Sequence, residues 1–154
     1  MTAAQITPET VKKILSWIDA GLTSGKGNPK RGEMCIEAVI CNVLEGRHAD
    51  DPQSVSPALR SLKIQINDAN WSSNKARARG MRRLGVAQLG SAGVLDEAEF
   101  SRRIVDLALR KSVPAALRAA ASVIKDEKHK AALCEAANCC EKEGTRQAAL
   151  DARA

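Results

Sequence analysis

Apolar residues recur at helical spacing along most of this chain, in segments set apart by capping and turn residues. Val11, Ile14, Leu15 and Ile18 repeat at i, i+3, i+4 and i+7 behind Thr7 and Pro8. That pattern predicts an amphipathic helix ending near Gly21. Residues 34–45, MCIEAVICNVLE, are apolar nearly all round, as a central, buried helix is. Ser56-Pro57 opens a third segment that reads two ways. Leu59, Leu62 and Ile66 have helical spacing, whereas Leu62, Ile64 and Ile66 alternate like a strand. Helix is preferred, because the cap is good and no partner strand is apparent.

A fourth helix is predicted from Ser72 or Ser73 to about Leu89, closed by Gly90 to Gly93. Asp96 and Glu99 form a capping box for a fifth, with Leu95 as staple and Phe100, Ile104 and Leu107 as its inner edge. Ser112-Val113-Pro114 marks a break and the start of a sixth. Asp126 starts a seventh, which ends before Gly144. Residues 1–6 and 145–154 read as frayed or disordered ends. The expectation is an all-α fold: one compact domain over 1–154, with about six or seven helices around the buried 34–45 helix.

Composition agrees with close helix packing. Two tryptophans, one phenylalanine and no tyrosine leave an alanine-rich, aromatic-poor interior. No apolar run approaches the ~18 residues that span a bilayer. Five cysteines, an odd number without a C-x-x-C, and no visible secretory signal point to reduced thiols in a cytoplasmic protein.

Charge changes the picture. The formal net charge is +6. Between Asn70 and Leu95 there is no acid, yet Lys75, Arg77, Arg79, Arg82 and Arg83 crowd the start of the fourth helix. Cations at that end oppose the helix macrodipole, so something outside the helix favours them. At 100° per residue, Lys75, Arg79, Arg82 and Arg83 share a face and Arg77 lies nearly opposite. The expected partner is nucleic acid, or a complex containing it; the alternative is an acidic protein surface. Lys26, Lys30 and Arg31 in the Gly-rich loop GLTSGKGNPKRG extend the cluster if they converge on it, as do Arg102, Arg103, Arg110 and Lys111. Trp71, in a polar stretch, is either a staple for the fourth helix or an exposed interface anchor. Residues 57–89 have the length of a helix-turn-helix without its distinctive turn signal.

Other chemistry is weaker. The Gly-rich loop fails as a phosphate cradle: no Ser or Thr follows Lys26, and a helix precedes it. Cys35 heads a helix, with His48 as a nominal base and Asp50 or Asp51 to orient it. Helical rise separates Cys35 from His48 by roughly 20 Å, so they meet only if the following loop folds back. Cys134, Cys139, Cys140 and His129 lack zinc spacing, so neither metal nor cofactor is expected. Glu37, alone in the most apolar helix, predicts an internal ion pair with an arginine of a neighbouring helix.

Overall fold

The computed structural model describes residues 5–151, and every regular element in them is helical. The order is α1 (Pro8–Ala20), α2 (Ile36–Ile40), α3 (Pro57–Asp68), α4 (Asn74–Ala87), α5 (Glu97–Leu107), α6 (Val113–Val123), α7 (Glu127–Glu143) and α8 (Arg146–Asp151). No β-strand occurs among the described residues; one isolated bridge pairs Gly27 with Met34. The sequence reading treats residues 1–154 as one domain; contacts within the chain gather into two compact units, one up to Glu97 and one from Ala98 on.

In the first unit the predicted caps are in place. Thr7 and Thr10 bond reciprocally at the start of α1, and the Ser56 and Ser73 hydroxyls accept the first free amides of α3 and α4. The central helix is α2, capped by the Cys35 thiol and prolonged by a π-turn over Cys41–Glu45. Gly46 ends it in the left-handed region at φ 66°. Every residue from Met34 to Cys41 is buried. Ile14 and Ile18 of α1 and Ala78 and Met81 of α4 close over them. Gly85 of α4 permits this approach, since a Cβ there would lie 2.6 Å from Ile18 Cδ1 and 2.9 Å from Ile36 Cδ1.

Helix α3 departs from its apolar pattern. Its fully enclosed positions are Lys63 and Asn67, one turn apart, while Leu59, Leu62 and Ile66 are half-buried. Lys63 Nζ meets Glu37 Oε1 with both side chains 1% exposed. Glu37 therefore has its ion pair, but with a lysine instead of the expected arginine. The compact ammonium on a flexible stem fits where a guanidinium fork would need several further acceptors. Burial pushes the Glu37 carboxyl up and the Lys63 amine down, and each group's charge opposes the shift of the other.

The second unit is built on the α6–α7 pair. Pro114 and Ala121 of α6 and Ala137 and Cys140 of α7 are buried, as is Ala148 of α8, and such small residues allow a short interhelical distance. The break expected at Ser112-Val113-Pro114 is a π-turn, Ala108–Ser112, that carries α5 directly into α6. Pro114 lacks an amide and crowds the carbonyl four residues before it; the wider turn accommodates both. Arg110 donates to the carbonyls of Glu141, Lys142 and Glu143, closing the end of α7 above Gly144. Of the ends expected to fray, residues 146–151 form α8; residues 1–4 and 152–154 lie outside the described residues.

A buried pair broken on one side leaves a charge without compensation. Lys63→Met or Glu37→Gln alone should lower stability by about 3–5 kcal/mol in denaturant titrations, and Glu37→Leu with Lys63→Met should recover most of that loss. A double variant no more stable than either single one would contradict this account of α3.

Candidate nucleic-acid interface

Helices α1 and α4 run antiparallel. Leu22 N–H donates to Asn74 O at one end, and Gly90 lies beside Ile6 at the other. The negative end of α1 thus meets the positive end of α4. Lys75 Nζ donates to the Asp19 carbonyl at 2.9 Å, in the last turn of α1. Arg82 forks onto the Asp19 carboxylate, at 2.7 Å from Nε and 3.2 Å from Nη2. That hydrogen bond holds the Asp19 carboxyl below its usual range. Two of the five cations therefore have an internal partner in Asp19, and Arg82 lies beyond the middle of α4, where the positive helix end no longer opposes it.

Arg77 has turned inward, as its place opposite the basic face requires. It is 7% exposed. Its guanidinium donates to Asn67 O at 2.7 Å, Leu22 O at 3.0 Å and Asn74 Oδ1 at 2.8 Å. It ties α4 to the end of α3 and to the start of the Gly-rich loop, and is not part of the outer surface. Arg79 and Arg83 point the other way. Both are exposed, and neither guanidinium has a hydrogen-bond or ion-pair partner among the described residues.

The Gly-rich loop divides. Arg31 reaches across α1 and donates to Ser16 O at 2.7 Å, which brings it to the helix pair. Lys12 and Lys13 of α1 are exposed there too, and sequence reasoning passed over them. Lys12 lies seven residues before Asp19 and so on the same helix stripe, a spacing that could have been read from the chain. Lys30 is exposed and untied. Lys26 goes elsewhere, to the mouth of a cavity of about 30 Å³ lined by Cys35, Glu37, Asp50, Asn67 and Asp68. Arg102, Arg103 and Arg110 belong to the second unit, where Glu99 pairs with the first two and Asp106 with the third.

Trp71 is half-buried against the core. Its indole N–H donates to Ile66 O at 2.9 Å, and its ring occupies the space a Cβ on Gly80 would need. This is the packing role expected of a staple. Residues 69–73 join α3 to α4.

The cavity bears on the thiol reading. The loop after the π-turn does fold back, so the helical separation does not set the distance. Asp50 lines the same cavity as Cys35, and His48 Nε2 lies 3.0 Å from Gly27 O. No hydrogen bond joins His48 to Cys35 or Asp50 among the described residues. Burial pushes the Cys35 thiol up, and the wholly buried Cys41 is pushed up to about 12. Both are held as thiols, the unreactive form. The Gly-rich loop is pinned by Asp68 Oδ1, which accepts from Gly25 N, Ser24 Oγ and Asn67 Nδ2.

Compared with protein-family models, curated proteins and solved structures, the chain has no significant match. Roles for its residues therefore rest on geometry alone.

Arg77→Ala removes charge-assisted bonds to three acceptors in the interior and should cost about 2–4 kcal/mol in a denaturation midpoint experiment. Arg83→Ala should stay within about 0.5 kcal/mol of the parent chain. Equal effects of the two would mean that α4 is rotated differently about its axis.

Proposed function

We propose that this protein binds nucleic acid through the outer face of α4. Arg79 and Arg83 form the centre of that surface. Lys75, Arg82 and Arg31 flank it, together with Lys12 and Lys13 of α1 and Lys30 of the loop. The observation that carries the reading is the contrast in how cations are used. Lys75 and Arg82 answer Asp19, Arg77 answers the interior, and Arg102, Arg103, Arg110 and Arg118 of the second unit answer carboxylates or a helix end. Arg79 and Arg83 stand beside no acid of their own helix, on a face where two arginines repel each other. Phosphate supplies the missing counter-charge and matches the guanidinium fork.

An acidic protein surface is the other partner that such charge suits. It lacks the support of a free aromatic anchor, since Trp71 is engaged with Ile66 and Gly80.

Asp19 makes the test sharp, because it is the acid that neutralises this face. Arg79→Glu with Arg83→Glu should leave the fold intact and abolish binding to a generic labelled nucleic acid. Asp19→Asn should tighten binding, because it frees Arg82. Affinity should fall with salt with a logarithmic slope of about 0.9 per phosphate contact on duplex DNA, or about 0.7 on a single strand. Binding that is absent in the parent chain at low salt, or unchanged by the double reversal, would refute the proposal.

A further inference from the structure

We infer that the nucleic acid is duplex DNA, with α4 lying in the major groove and Arg79 and Arg83 reading base edges there. This rests on the nucleic-acid reading above and adds to it the form of the partner and the residues that give specificity.

The first argument is the absence of a stacking platform. Recognition of single strands and of RNA loops relies on aromatic rings offered to unpaired bases. The first unit's aromatic side chains are Trp17 and Trp71, and both pack against its core cluster. Trp71 also spends its N–H on Ile66. The indole beside the basic face, that of Trp71, is half-buried, laid against Gly80 and tied to Ile66, so it is not a free-standing ring for an unpaired base to stack on.

The second argument is the shape of α4. It is regular α-helix from Asn74 to Ala87, 14 residues, held in one rotation by Arg77. A helix with side chains is about 10–12 Å across, and the B-form major groove is about 12 Å wide. The corresponding groove of an RNA duplex is too deep and narrow to be read. The crest of α4 is built to approach closely. Ala76, Arg79, Arg83 and Ala87 follow one another along it, so the two arginines rise between small residues, with Trp71 against Gly80 at the edge.

The third argument separates two kinds of contact. Lys75 and Arg82 sit on the flank of α4 against α1, beside the stripe that carries Lys12. They lie to the side of the crest, where the phosphate backbone borders a groove-bound helix. Arg79 and Arg83 sit on the crest with all their donors free, as a bidentate contact to guanine O6 and N7 requires. Four residues of helix place them about 6 Å apart along the α4 axis, and on a groove-bound helix, oblique to the DNA axis, residues three to four apart meet successive bases. The expected preference is for two adjacent G·C pairs.

The experiment uses the full chain and three labelled ligands of one sequence, each about two helical turns long: duplex DNA, duplex RNA and single-stranded DNA. Fluorescence anisotropy at matched salt should show duplex DNA bound about tenfold or more tighter than the others. Selection from a randomised DNA duplex should enrich two guanines. Arg79→Ala and Arg83→Ala should each erase one of them, while Lys13→Ala weakens all sequences alike. Equal affinity for the three ligands, or selection without base preference, would overturn this inference and leave the nucleic-acid reading standing. Failure to bind any of the three at low salt would remove both.

Discussion

One buried guanidinium determines what the first unit presents to its surroundings. Arg77 holds Asn67 O at the end of α3 and Leu22 O after α1, and Asn74 Oδ1 of its own helix steadies it. A planar fork held through Nε and Nη1 by carbonyls of two other segments fixes the rotation of the helix that bears it. The α-helical period then assigns every other residue of α4. Ala78, Met81 and Gly85 face the core, and Arg79 and Arg83 face away from it. Asn67 carries the constraint onward. Its amide donates to Thr23 O and to Asp68, and Asp68 in turn holds Gly25 and Ser24. The orientation of the basic helix and the shape of the Gly-rich loop are thus one hydrogen-bonded system.

The two units use charge differently. The first encloses Lys63 and Glu37 and nearly encloses Arg77, each with an opposite charge or several carbonyls against it. Buried groups of this kind are costly to leave unpaired, so they fix register more than they add stability. In the second unit the ion pairs are exposed and mostly local, such as Arg103 with Glu99 and Lys130 with Glu127. Such pairs contribute little each. The chain's excess positive charge divides evenly between the two units; what sets α4 apart is five cations on one helix that carries no acid of its own.

Much of this was legible in the chain. Helical period and caps place α1, α4 and α7, and the apolar run at 34–45 identifies the enclosed helix. The 100° rotation per residue separates Arg77 from the other cations without any tertiary information. Three features were not legible, each for a physical reason. Pro114 signals a helix start from sequence alone, whereas a π-turn lets a helix run through it. Lys63 and Asn67 read as the solvent side of α3, because their acceptors come from α2 and from loops distant in sequence. The Gly-rich loop looks like one basic element, yet its backbone sends Arg31 to α1 and Lys26 to the cavity. Local pattern shows which charges exist; tertiary contacts decide which remain free.

The account turns on one arginine being inside and two outside, and a chemical footprint of the intact protein measures that directly. Treatment with an arginine-selective dicarbonyl, followed by peptide mass spectrometry over time, reports the access of each guanidinium. Arg79 and Arg83 should modify at the rate of exposed arginine, while Arg77 stays protected until the protein unfolds. Modification of Arg77 as fast as Arg83 in the folded protein would contradict the account.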